Sequence, residues 1–266
     1  MPYELIPLGT NGFIPTHGRQ TMSFLLLAER QALLLDAGTG AGRLLGAGLQ
    51  ARLRDVPRLD ILLTHYHLDH VVGLSYLGAF WRDRPVRLLA PRRPLVDADP
   101  EEALGRLLGP PLFPVRLAEF AMPVEVVPYA SPTLEIGALK LRLRRQNHPG
   151  GSVGVRIGDQ LVYCTDTLAE DATSEFARGA GTLLHEVWLT DAEAAAGVPA
   201  YGHSAVSGVA GVARAARVGR LMPIHHHPNR TRSDLAQIAA SLAAGSGIEV
   251  LLPQEGHVYP LSAAGT

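Results

Sequence analysis

A chain of 266 residues with 47% apolar and 18% charged residues and a net charge of −1 holds one or two domains and can bury a core. That balance excludes a disordered chain and a globally basic nucleic-acid binder, and a single cysteine excludes a disulfide framework or a four-cysteine zinc site. Eleven histidines are the feature of composition that calls for an explanation.

Tyr3–Leu8, Met22–Ala28 and Ala32–Asp36 are apolar runs bounded by turn residues and predict strands. Ala41–Leu53 predicts a helix and Leu59–Thr64 a short buried strand. A proline-rich middle follows, from Pro91 to Pro114. Leu139, Leu141 and Leu143 then alternate with Lys140, Arg142 and Arg144, the period of a half-buried strand with one solvated basic face. Val153–Ile157, Leu161–Cys164, Leu183–Leu189 and Leu221–Ile224 continue as strands, and Val206–Val218 and Asp234–Ala244 as helices. Strands precede helices in each half, which suits two stacked sheets with helices outside. No linker or low-complexity tract divides the halves, so residues 1–266 predict one α/β domain, with 91–123 as a candidate flap. No apolar run approaches the roughly 20 residues of a membrane span, and the amino terminus lacks the pattern of a secretory signal. The expected compartment is the cytoplasm.

Thr64-His65-Tyr66-His67-Leu68-Asp69-His70 stands directly after the strand Leu59–Leu63. Imidazole nitrogens and a carboxylate within six residues, where a strand gives way to a loop, can converge on one metal. They cannot close a two-metal site alone. His148, Asp166 and His225 each fall just past another apolar run, so strand ends would bring further ligands to the same edge. Gly38-Thr39-Gly40-Ala41-Gly42 after a strand superficially suggests a dinucleotide loop. Its spacing is not G-x-G-x-x-G, and Asp60 opens its strand rather than closing it, so a tight turn is the better account.

His65-x-His67-x-Asp69-His70 followed by His148, Asp166 and His225 resembles the ligand series of the metallo-β-lactamase superfamily. Leu8-Gly9-Thr10 with Pro15-Thr16, Arg19 and Ser23, then Asp36-Ala37-Gly38, His185-Glu186, Gly202-His203-Ser204 and His225-x-x-Pro228, resemble blocks of its phosphodiesterase branch, which includes tRNase Z. The resemblance implies a four-layer αβ/βα sandwich of two mixed sheets with helices outside. It implies that His65, His67 and His148 hold one metal, that Asp69, His70 and His225 hold a second, and that Asp166 bridges them. Two divalent ions are thus expected, zinc first, with manganese and iron accepting similar ligands. Such a pair, about 3.5–4 Å apart, shares a water and lowers its pKa, so that a bridging hydroxide is the implied nucleophile.

Among the triple histidines, Pro228 three residues on selects His225 as the ligand. His226 is left as a candidate accessory group and His227 is expected on the other face. Asp69 would also orient the nucleophile, and His203 resembles the branch's proton donor with Glu186 as its partner. His185, one residue from Glu186 on a strand, should face the opposite side. His17 and His257 have no assigned partner, although His257, after a glycine turn, is in reach of the rim. Cys164 is expected to be a buried small hydrophobe.

A proton donor suits the poor leaving group of a phosphodiester. In tRNase Z a long arm that grips tRNA lies between the ligands matching His148 and Asp166, which here are only 18 residues apart. The arm is absent, which favours a small phosphodiester such as a cyclic nucleotide or cyclic phosphate over extended nucleic acid. The alternatives are a thioester, ester or lactam hydrolase on the same fold, an RNA 3′-processing nuclease, or a sensor without chemistry. A homodimer is expected from the resemblance alone.

Overall fold

The computed structural model describes residues 3–263. Its first half runs β1 (Tyr3–Gly9), β2 (Ser23–Ala28), β3 (Gln31–Leu35), α1 (Ala47–Arg52), β4 (Leu59–Leu62), α2 (Leu68–Val71), α3 (Leu77–Phe80), β5 (Val86–Pro91), α4 (Pro100–Leu107) and β6 (Val124–Tyr129). The second half runs β7 (Thr133–Ile136), β8 (Leu139–Gln146), β9 (Ser152–Ile157), β10 (Leu161–Cys164), α5 (Asp171–Ala177), β11 (Thr182–Glu186), α6 (Asp191–Ala195), α7 (Val206–Ala216), β12 (Arg220–Ile224), α8 (Arg232–Ser246), β13 (Glu249–Val250) and β14 (Tyr259–Leu261).

Two seven-stranded sheets result, in the orders β14-β1-β2-β3-β4-β5-β6 and β13-β12-β11-β10-β9-β8-β7. Each is mixed: hairpin-connected strands pair antiparallel, and those joined through helices pair parallel, as from β3 to β6 and from β10 to β13. Period-two alternation explains why the sheets stack. Leu5, Phe24, Leu26, Leu33, Leu35 and Leu62 face Leu141, Leu143, Val155, Tyr163, Leu184 and Met222 across the middle layer. The alternate residues of the first sheet, such as Ile6, Leu25, Leu34 and Ile61, pack on Leu53, Leu77 and Phe80 outside. Val162, Leu183 and Leu221 meet Val209, Ala213 and Leu242 of α7 and α8 on the far side of the second sheet. This is the expected four-layer αβ/βα sandwich.

Some elements depart from the sequence expectation. In place of one helix over 41–53, a 3₁₀ turn (Thr39–Leu45) breaks at Gly46, whose extended backbone starts α1. Three glycines, at 42, 46 and 48, weaken a continuous helix there. The strand expected to reach Leu189 ends at Glu186, after which Trp188 and Leu189 both donate backbone N–H groups to the Ser204 carbonyl. Residues 91–123 carry α4 and pack against the edge of the first sheet. Their first turn is tied to the loop after β8 by Asp97 N–H to the Gly150 carbonyl, and none of them lines the metal cleft described below. On β8, Lys140 and Arg142 are exposed, whereas Arg144 is anchored on α5 through Glu170 (2.8 Å) and Thr173 (2.7 Å). Gly38 has extended backbone ahead of the 3₁₀ turn and is held to glycine by a close approach: a Cβ there would lie 2.1 Å from the Asp69 carbonyl oxygen. No helix among the described residues is long and apolar enough to cross a membrane.

Candidate metal centre

The parallel strands of both sheets end at one edge of the sandwich, and the loops beyond them gather the histidines. β4 leads through Thr64 into His65, His67, Asp69 and His70, the last two on the single turn of α2. His148 follows β8, Asp166 follows β10 and His225 follows β12. Asp166 and His225 both lie at φ 51°, in the left-handed region that non-glycine residues seldom occupy. That backbone turns each side chain out of its strand's alternation toward the cleft between the sheets.

Metal-binding atoms of His65, His67, His148 and Asp166 lie within 4.8 Å of one another, as do those of Asp69, His70 and His225 and those of Asp166, His203 and His225. Asp166 sits between the first two groups. One of its oxygens is 3.7 Å from His65 Nε2, 3.6 Å from His148 Nε2 and 3.3 Å from His225 Nε2, and the other is 3.1 Å from His70 Nε2.

The donor set fits divalent metal. His65 Nδ1 contacts Thr64 Oγ1 at 3.1 Å, His70 Nδ1 contacts Asp36 Oδ2 at 2.9 Å and His148 Nδ1 contacts the Gly202 carbonyl at 3.3 Å, so in each ring it is Nε2 that faces the centre. The Nε2 atoms of His65 and His70 are buried without a hydrogen-bond partner, an arrangement that a cation resolves. His67 Nδ1 and His148 Nε2 stand 3.2 Å apart, two imidazole nitrogens aimed at one point.

Electrostatics match this chemistry. Burial, with neighbouring histidines, holds His65 well below the usual imidazole range, and burial lowers His148 to about 4, so both offer neutral rings. At His70 burial opposes the charge, but the carboxylates of Asp166, Asp69 and Asp36 outweigh it and raise the imidazole. Asp166 is held far below the carboxylate range because the surrounding imidazoles, His225 first, overcome its burial.

Beside the centre, His203 Nδ1 faces Glu186 Oε2 at 2.9 Å and Oε1 at 3.1 Å. Glu186 is fully buried and accepts the Thr167 N–H at 2.5 Å. Burial raises the Glu186 carboxyl, and the glutamate raises His203 against the pull of its own burial. The His203 ring stacks on Trp188 (4.7 Å between centroids) and lies 5.0 Å from His148 and 5.1 Å from His225.

The remaining histidines and the cysteine fall as follows. His226 does not face the cleft; it is buried, and its backbone pairs with Thr10 and Gly12 to seat the loop after β1. His227 is not turned away from this region but stands edge-on against Trp188 at 4.5 Å. His257 is exposed and packs on Tyr259, while His17 is exposed on a left-handed turn. His185 is fully buried, with Nδ1 on the Glu186 carbonyl. Cys164 is buried in the outer core, and burial pushes its thiol up to about 12, so it is no ligand.

Two participants carried no assigned role in the sequence. Asp36 accepts from Thr64 N (2.7 Å) and Tyr163 Oη (2.8 Å) while it holds His70. Trp188 walls the cleft, two positions beyond Glu186, a spacing that the period of the strand would have placed on the same face.

Two stacked mixed sheets with a His/Asp cluster at the ends of their strands define the metallo-β-lactamase fold. Residues 31–226 match the Beta-lactamase superfamily domain, and the chain belongs to that superfamily. Among its relatives, a ribonuclease Z of Bradyrhizobium sp. (strain ORS 278) is 45% identical over 84 residues, which are 31% of this chain and 26% of that protein. A ribonuclease Z of Mycobacterium marinum is 30% identical over 213 residues, 71% of each chain. The chain thus spans about a quarter of the first relative and over two thirds of the second. In structure it resembles the metallo-beta-lactamase fold protein YhfI from Bacillus subtilis, with a TM-score of 0.73, 20% identity and coverage of 98% of this chain and 100% of that one.

Proposed function

We propose that the protein is a dinuclear-metal-dependent phosphodiesterase, with zinc the first-choice ion, acting on a small phosphodiester such as a cyclic nucleotide or cyclic phosphate. The observation that carries this reading is the Glu186–His203 pair, set 2.9 Å apart beside two metal-ligand groups with Asp166 between them. His65, His67 and His148 would hold one ion, Asp69, His70 and His225 the other, and Asp166 both. Bound divalent ions supply a water of lowered pKa and positive charge against which a phosphoryl group is placed. The protein supplies the rest. Asp69, fixed by the Phe13 N–H at 2.7 Å, orients the incoming nucleophile. His203, kept protonated by Glu186, donates a proton from Nε2 to the departing ester oxygen. Trp188 holds the His203 ring flat and excludes water from its back face.

A small substrate is supported by the stretch between His148 and Asp166, which contains only β9, β10 and their turns. The relatives named ribonuclease Z favour a second reading, an RNA 3′-processing nuclease, in which the same residues act on a longer diester. The presence of the chain in the cytoplasm and its pairing into a homodimer remain expectations from the sequence.

The test uses protein loaded with zinc or manganese and assayed on bis(p-nitrophenyl) phosphate, nucleoside cyclic phosphates and an RNA with a 3′ extension. Turnover of the first two without the third supports the small-substrate reading, and inertness with two ions bound per chain overturns both. His203→Ala is expected to cut turnover about 10²–10⁴-fold on alkyl diesters and far less on p-nitrophenyl esters, whose leaving group needs no proton. Because Glu186 raises His203, activity on alkyl diesters should persist above the ordinary imidazole range, near pH 6.5, and fall as His203 deprotonates. Glu186→Gln should move that fall to lower pH.

A further inference from the structure

The metal cleft, about 390 Å³, is lined by Phe13, Ile14, Leu68 and Trp188 together with the candidate ligands. The first three are exposed by 67%, 43% and 63%, a cluster of large apolar side chains left facing water beside a polar centre. Such patches mark ligand grooves. Phe13 is held there at a cost. Its backbone lies at φ 64°, where a bulky residue is strained, and its side chain packs in none of the three cores. The strain is kept by the site itself: the Phe13 N–H donates to Asp69 Oδ2 at 2.7 Å, and a Cβ on Gly12 would lie 2.3 Å from the His225 ring. Asn11, fully buried, locks the rest of the loop by donating to Thr16 Oγ1 (2.9 Å) and accepting from Arg19 Nε (2.6 Å). A rigid lip therefore presents an aromatic ring over the metal ligands.

Charge narrows the occupant further. Among the described residues no lysine or arginine lines the cleft. The nearby Arg230 is engaged by Glu193 (2.9 Å) and the Trp188 carbonyl (3.0 Å), and Arg19 by Asn11 and the Arg230 carbonyl. A polynucleotide track needs cations for the phosphates on either side of the scissile one, and among the described residues the cleft lining provides none.

Resting on the phosphodiesterase reading above, we infer that Phe13 is a specificity-determining residue, and that the lip it forms with Leu68 takes a diester with a single phosphate and a flat aromatic group. The ring packs on Phe13 while the phosphoryl group lies against the metal ligands. The charged groups of the mouth are all within the centre, so a second phosphate gains nothing.

The test is calorimetric binding of O-phenyl and O-methyl methylphosphonate to the metal-loaded protein, since neither ester need turn over to be read. The phenyl ester should bind about tenfold tighter, a factor that corresponds to about 1.4 kcal/mol. Phe13→Gly, which the left-handed backbone accepts without strain, should reduce that preference to about twofold or less, and Phe13→Trp should restore it. Dinucleotides with and without a 5′-phosphate should bind equally. Equal affinity for the two esters, a preference that survives Phe13→Gly, or a tenfold gain from the 5′-phosphate overturns the inference. Hydrolysis of bis(p-nitrophenyl) phosphate, measured in parallel, separates the failures. Turnover without the phenyl preference removes the lip alone, and absence of turnover with both ions bound removes the phosphodiesterase reading and this inference with it.

Discussion

His70 is fully buried, with Nδ1 bonded to an aspartate that Thr64 and Tyr163 also hold, whereas His67, three residues earlier, is exposed, and its ring meets the candidate ligands His65 and His148. The difference extends to their groups. Asp69 is fixed by the Phe13 N–H and His225 is pressed by Gly12, while on the other side His65 is backed by Thr64 Oγ1 at 3.1 Å, His148 by the Gly202 carbonyl at 3.3 Å, and the His67 ring by neither sheet nor lip. One proposed half of the centre is thus braced at every ligand by the first sheet and the lip, and the other is open at one corner, where His67 is exposed at the cleft. Ligands held by second contacts keep their geometry without the ion, so the buried half should bind more tightly and the open half should exchange first.

The strongest way to break this comparison is to remove the residue both halves share. Asp166→Ala should leave less than one ion per chain after gel filtration and lower diester turnover at least about 10²–10³-fold. His148→Ala, by contrast, should keep the ion of the buried half. Metal content by plasma mass spectrometry separates the cases, and two ions retained by Asp166→Ala would show that the carboxylate does not bridge.

A smaller effect reverses the order instead. In the wild type a competing chelator should remove the ion of the open half first. Asp36→Asn weakens the hold on His70 Nδ1 and should lower the affinity of the buried half about 10–100-fold, so that the two ions leave together or in the opposite order. Stepwise chelator titration, followed by metal release, reads this directly. Unchanged order in Asp36→Asn would mean that the buried half owes nothing to its second contacts.

The sequence makes one half of this asymmetry visible and hides the other. Four candidate ligands within six residues, and His148, Asp166 and His225 each just beyond an apolar run, are local patterns, so the cluster and the sandwich could be read from strand periodicity and spacing. What sets the geometry is long-range. Asp36 reaches Tyr163 across 127 positions and Phe13 reaches Asp69 across 56, and no local pattern announces such partners. The left-handed backbone at Asp36, Asp166 and His225 is equally silent in sequence, since only glycine declares that conformation. The faces of His226 and His227 are hidden from the sequence for the same reason: the turn at His225 breaks the alternation on which a face assignment depends. Gly46 did carry a local signal, and the break in the helix over 41–53 follows from it.

The least effect should come from the exposed ligand when no metal is bound. Removing His67 deletes an exposed ring that packs in no core and makes a polar approach of 3.2 Å to His148, so His67→Ala should change the stability of the metal-free protein by no more than about 0.5 kcal/mol. His70→Ala removes a buried donor from Asp36 and leaves the carboxylates of Asp69 and Asp166 without the imidazole that faces them at 3.5 and 3.1 Å. Loss of a buried partner of this kind costs about 1–3 kcal/mol. Urea unfolding of the chelated proteins measures both. If the two substitutions cost the same, the buried half is no better organised than the open one before metal arrives, and the difference between the halves arises only on binding.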